Sequence, residues 1–134
     1  MSFVHRLRVR FHECDPQGVV FNAHYFTYFD VALTEMWREA FGSYANVVDS
    51  GVDVVVVEAA ARFRAPARFD EELEIELAIA RLGATSMTMS AAVRREGRAL
   101  VEGRMVHVFV DTSTMAKCAI PDDVRAGLEP WVVA

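Results

Sequence analysis

The stretch ECDPQGVVFNAHY, from Glu13 to Tyr25, holds the residues best placed for chemistry. Asp15 stands in a polar turn punctuated by Pro16 and Gly18, where proline fixes the backbone and glycine frees it in ways a regular strand does not tolerate. An amphipathic segment begins at Asn22. A helix start leaves backbone N–H groups unpaired, here near Asn22 and Ala23, and such groups are oriented donors for an oxygen that gains negative charge. A carboxylate in the preceding loop can lie opposite them, close enough to attack a carbonyl or to hold the water that does.

Other polar side chains are less suited. Asn22 can donate or accept a hydrogen bond but cannot titrate, so it either positions a substrate or water or caps the helix. His24 is rotated by roughly 200° around the helix from Asn22 and reads as a first-turn surface residue. Cys14 has no histidine in a Cys–His arrangement, and His5, His12 and His107 form no spaced metal set. His107 shares strand parity with Met105 and Phe109 and is expected to be a satisfied core or interface histidine. Gly18 is expected to permit a close backbone approach. Phe21, Tyr25 and Phe26 either shape a ligand pocket or pack the core.

The elements that must hold this junction follow from periodicity. Phe3, His5, Leu7, Val9 and Phe11 alternate with Val4, Arg6, Arg8 and Arg10, which predicts a strand over Phe3–Phe11. From Asn22 to Phe41, Phe26, Phe29, Leu33, Met36, Trp37 and Ala40 recur at helical spacing, and Gly42 is the natural stop. Ser43 to Gly51 reads as an irregular connection. Val-rich Val52 to Phe63 is a second strand before Pro66, Leu73 to Ile79 a third after the Asp70–Glu71 turn, and Met87 to Val93 a fourth beyond Gly83. A hairpin at Arg95 to Arg98 returns the chain as a strand over Ala99 to Val110. Pro121 and Asp122 open a short terminal helix. This order fits one antiparallel sheet with a single long helix on one face. Branched residues on both parities at Val54–Val57 and Val106–Val110 leave apolar surface that a second copy would cover.

Length and composition agree. The 134 residues suit one domain, residues 1–134, and a hydrophobic fraction of 53% suits a packed core. A formal charge of -5 supplies no general field for nucleic acid. Two cysteines far apart point to a reducing, cytoplasmic setting, and no apolar run is long enough for membrane insertion.

The order of residues from Cys14 to Tyr25 resembles the active-site segment of the hotdog-fold thioesterases, specifically the 4-hydroxybenzoyl-CoA thioesterase-like family and its relatives associated with the Tol-Pal envelope system. VEAAARFRAPARFDEELEIE is similar to that family's second strand, proline bend and third strand. The resemblance implies an α+β hotdog fold, with a five-stranded antiparallel sheet wrapped around one long central helix. It implies hydrolysis of an acyl-CoA thioester by Asp15, as nucleophile or general base, with the N–H groups near Asn22 and Ala23 facing the carbonyl. Asn22 departs from relatives that carry histidine or tyrosine there.

The resemblance implies no cofactor, since CoA is part of the substrate, and it implies a homodimer or homotetramer. Arg62, Arg64 and Arg68 around Pro66, with Arg94, Arg95 and Arg98 around the hairpin, are candidates for the CoA phosphates. A charged edge that discourages sheet pairing explains the same arginines. Two alternatives are an acyl-carrier-protein thioesterase and a non-catalytic acyl-CoA-binding module.

Overall fold

A computed structural model describes residues 1–133. Helix α1 (His24–Phe41) turns Tyr25, Tyr28, Phe29, Ala32, Leu33, Met36 and Trp37 inward, the single apolar face expected from residues three and four apart. Full burial of each large apolar side chain stabilises the fold by on the order of 1.5–3 kcal/mol. Gly42 ends the helix at φ 84°, its N–H donating to the Arg38 carbonyl at 2.8 Å.

Against α1 lies one antiparallel sheet built from β1 (Phe3–Arg8), β2 (Val52–Phe63), β3 (Glu72–Leu82), β4 (Ser86–Arg95) and β5 (Arg98–Asp111). Its spatial order is β1-β3-β4-β5-β2, so β1 and β2 are the edges. Leu77 pairs with Phe3 and Ala91, and Met89 pairs with Ile79 and Met105. This register stacks the inward parity of the strands beneath the helix, where Leu73, Ile75, Leu77, Ile79, Met87, Met89, Met105 and Phe109 are buried. Gly103 occupies the same face because nothing larger fits. A Cβ there would lie 2.7 Å from the Phe29 ring, so glycine is what lets α1 settle on β5.

Four local expectations are corrected. Strand β1 stops at Arg8 instead of Phe11; the chain then makes a 3-10 turn over Phe11–Glu13, which leaves Phe11 78% exposed in edge contact with Phe69. Helix α1 starts at His24, two residues after Asn22. The Ser43–Gly51 connection contains a short helix, α2 (Tyr44–Asp49), opened by Ser43 Oγ accepting the Asn46 N–H at 3.3 Å. His107 is buried without a partner for either ring nitrogen among the described residues, because its strand parity, shared with Met105 and Phe109, turns it inward and no polar group there comes within hydrogen-bond reach of its ring.

The chain ends as α3 (Asp122–Leu128), followed by a 3-10 turn that buries Trp131 edge-on to Phe3, with ring centroids 5.5 Å apart. Along β2, Val56 and Val57 are exposed at a bulge, and Phe63 is exposed at its end. Among the described residues no helix is long and apolar enough to cross a membrane.

Candidate active site

The loop carrying Asp15 closes on itself. Cys14 bridges Val20, the Asp15 N–H donates to the Val19 carbonyl at 2.9 Å, and the Gly18 N–H donates to the Asp15 carbonyl at 2.9 Å. Asp15, Pro16 and Gly18 occupy the first, second and fourth turn positions that favour those residues. Gly18 has φ 78°, and no heavy atom lies within 4 Å of where its Cβ would be. No other part of the described chain packs against it, and the glycine serves the left-handed backbone.

One oxygen of Asp15, Oδ1, accepts the Gln17 N–H at 2.9 Å. The other has no partner among the described residues, and the residue is half-buried. A carboxylate held by one oxygen and open at the other is fixed in orientation yet still able to attack or to accept a proton.

The approach to the helix start carries both paired and unpaired N–H groups. The Phe21 N–H is used by the Glu13 carbonyl at 3.0 Å, and His24 N–H donates to the Phe21 carbonyl at 2.9 Å. Tyr25 and Phe26 donate to the Asn22 and Ala23 carbonyls at 3.3 and 3.2 Å. Among the described residues, the N–H groups of Asn22 and Ala23 are left with no acceptor. The Asn22 side chain does not cap the helix. Ala23 takes the N-cap position with helical φ -64° and ψ -27°, whereas side-chain capping needs an extended residue there.

A second segment locks these two halves together. Val20 N–H donates to the Ala67 carbonyl at 2.9 Å, while Ala67 N–H donates to Tyr25 Oη at 3.2 Å. Arg95 fastens the same bend, donating to the Pro66 carbonyl at 3.1 Å and to Glu71 at 2.8 Å. Burial holds the Tyr25 hydroxyl above its usual pKa, so it remains a neutral phenol.

Between the loop, the helix start and the Phe63–Pro66 segment lies a cleft of about 370 Å³, lined by Asp15, Gln17, Asn22, Tyr25, Phe63 and Arg64 among others. That volume lies toward the lower end of the range of small-molecule clefts. Phe21 is 47% exposed and packs edge-on to His24 outside the cleft lining, and Phe26 packs against Phe29 at the core margin.

Of the arginines, Arg64 lines the cleft and pairs with Glu102 at 3.0 Å. Arg68 contributes its backbone to a bridge with Val19 and donates its N–H to Glu71 Oε1 at 2.6 Å, and neither its guanidinium nor that of Arg62 pairs with a carboxylate among the described residues. Arg94 pairs with Glu76 at 3.7 Å, and Arg95 is committed to the bend. Gln17 and Phe63 were not anticipated as cleft residues. The turn position of Gln17, two residues after Asp15, was the available signal; Phe63 had none beyond its place at a strand end.

Residues 9–128 match the family model of the thioesterase-like superfamily. The acyl-CoA thioester hydrolase YbgC of Escherichia coli O157:H7 is 32% identical over 121 residues, 90% of this chain and 90% of that protein. The 1,4-dihydroxy-2-naphthoyl-CoA hydrolase of Synechococcus sp. (strain CC9605) is 29% identical over 131 residues, 90% of this chain and 85% of that one. The crystal structure of the hypothetical protein TT1821 from Thermus thermophilus superimposes with a TM-score of 0.90 at 33% identity, over 100% of both chains. With its sheet wrapped on one long helix, the chain belongs to the hotdog-fold thioesterases of the 4-hydroxybenzoyl-CoA thioesterase-like, YbgC-related family.

Proposed function

We propose that this thioesterase hydrolyses acyl-CoA with an aromatic or short-chain acyl group to the free acid and CoA, using Asp15. The observation that carries this reading is one cleft lined by both Asp15, with a free carboxylate oxygen, and Asn22, whose N–H has no acceptor among the described residues. The thioester carbonyl oxygen sits against the N–H groups of Asn22 and Ala23, which stabilise the charge that develops on attack.

Two routes share this geometry. As nucleophile, the free oxygen of Asp15 bonds to the carbonyl carbon, the C–S bond breaks with its electrons leaving on CoA thiolate, and water then cleaves the anhydride. As general base, Asp15 takes a proton from the water whose oxygen bonds to the carbonyl carbon; the C–S bond then breaks with its electrons on sulfur, and the departing thiolate takes the proton from Asp15. The modest cleft volume and the rings of Tyr25 and Phe63 support a small or single-ring acyl group. Arg64 at the rim, with Arg62 and Arg68 nearby in sequence, is suited to the CoA phosphates.

The functional unit in this reading is a homodimer or homotetramer. The twelve-residue edge strand β2 exposes Val56, Val57 and Phe63, and an unpaired apolar edge of that length is ordinarily covered.

Thiol release from aromatic, short-chain and long-chain acyl-CoAs tests the reading. Turnover concentrated in the aromatic or short-chain class is the expected result; cleavage of long-chain thioesters alone, or of none, contradicts it.

A further inference from the structure

Glu13 lies two residues before Asp15 and makes more connections than any role in substrate contact requires. Its carbonyl accepts the Phe21 N–H at 3.0 Å, which fixes the chain as it enters the helix start. Its side-chain Oε1 accepts the Tyr28 hydroxyl at 2.9 Å and the Arg10 N–H at 2.7 Å. One residue thus ties the Asp15 loop to the approach of Asn22 and Ala23 through its backbone, and to the body of α1 through its side chain.

Tyr28 is a firm anchor. It is 2% exposed, edge-on to Tyr25 with ring centroids 5.8 Å apart, and sits one helical turn beyond it. Burial and the bond to Glu13 raise its hydroxyl well above the ordinary tyrosine range, so it stays a donor. Tyr25 in turn accepts from Ala67. Neighbouring tyrosines of one helix therefore hold the site from two sides, Tyr25 at the Pro66 bend and Tyr28 at the loop.

Neither Glu13 nor Tyr28 lines the cleft that holds Asp15. Both line a separate cavity of about 630 Å³ whose walls come mainly from β1, the turn after it and α1. Within the Asp15 cleft the pair therefore acts only through the loop it holds.

We propose that Glu13 and Tyr28 are positioning residues that set the placement of the Asp15 carboxylate relative to the free N–H groups of Asn22 and Ala23. This rests on the proposed role of Asp15. Displacement of a reacting group by about 1 Å can cost up to ~100-fold in rate while leaving much of the binding surface intact. The device therefore acts on kcat and leaves KM close to its original value.

The test is steady-state kinetics on acyl-CoA for Tyr28→Phe, Glu13→Ala, Glu13→Gln and the Tyr28→Phe/Glu13→Ala pair, below the melting temperature of each. Asp15→Asn runs beside them. Tyr28→Phe and Glu13→Ala are each expected to lower kcat at least fivefold with KM changed less than threefold. Glu13→Gln keeps an acceptor oxygen and is expected to restore kcat to within threefold of the original. The double variant is expected to be no slower than the worse single, because both remove the same link.

A kcat loss below fivefold in both single variants overturns the proposal, as does a double variant whose losses multiply. Should Tyr28→Phe fail to fold, Glu13→Ala, which leaves the buried ring in place, carries the same reading. Full activity in Asp15→Asn would instead overturn the proposed function itself, which separates the two failures.

Discussion

Tyr25 Oη accepts a hydrogen bond from the Ala67 N–H at 3.2 Å, joining the first turn of the central helix to the bend after β2. The bond spans 42 residues of sequence and is buried at both ends. Replacing Tyr25 with Phe leaves the Ala67 N–H buried with no acceptor, which costs about 1–3 kcal/mol. Denaturant unfolding of Tyr25→Phe should show a lower midpoint with an unchanged m-value; an unchanged midpoint would mean that the bend is held without this bond.

Gly103 and Phe29 make a second prediction. The Gly103→Ala methyl would lie 2.7 Å from Phe29 Cε2, and overpacking of this kind costs about 1–3 kcal/mol. Shortening the ring in Phe29→Leu makes room. The double variant should therefore be more stable than the sum of the two single losses predicts. Strict additivity in thermal or denaturant melts would contradict the packing described.

His107 predicts a pH dependence. Burial lowers its pKa from 6.5 in the unfolded chain to about 4 in the folded one. Between those values the unfolded state binds more protons than the folded state, so stability rises with pH across the window and this contribution is complete above 6.5. The shift corresponds to about 3 kcal/mol lost as pH falls from 6.5 to 4. His107→Met removes the titrating group and should flatten the stability profile between pH 4 and 6.5 relative to the original protein. An equal slope in the two proteins would assign the acid sensitivity elsewhere.

Arg64 gives a prediction on binding. It lines the cleft and is more than half exposed while paired with Glu102, so its guanidinium is available to a phosphate. Arg64→Ala should raise KM for acyl-CoA about three- to tenfold with little change in kcat. Thioesters of a short thiol without the nucleotide should be unaffected. Equal effects on both substrates would remove Arg64 from nucleotide recognition.

Much of this architecture was legible from pattern alone. The buried face of α1 follows directly from Phe29, Leu33, Met36 and Trp37, and alternation placed β3 and β4 because one face of each is buried. Asp15 was legible because Pro16 and Gly18 mark its turn.

What escaped was short or distant. Helix α2 has only six residues, too few for a period, although Ser43 was an available cap signal. The strand pattern ran on through Phe11 because apolar parity continues after the backbone has already turned at the sheet edge. The Glu13–Tyr28 link joins residues 15 apart across a loop and a helix turn, and no local rule pairs them. The unpartnered state of His107 depends on what neighbouring elements place beside it, which strand parity does not specify.

The central claim is that the Asp15 carboxylate performs the attack or activates the water. The most direct measurement is kcat for thiol release by Asp15→Asn on the best acyl-CoA substrate, with folding checked by the same thermal melt as the original. Asparagine keeps an oxygen for the Gln17 N–H and the shape of the turn, but removes the negative charge. A fall in kcat of at least ~100-fold with the melt preserved is the predicted result, within the range that loss of a nucleophile or general base produces. Retention of kcat within a few-fold in the folded variant would contradict the account.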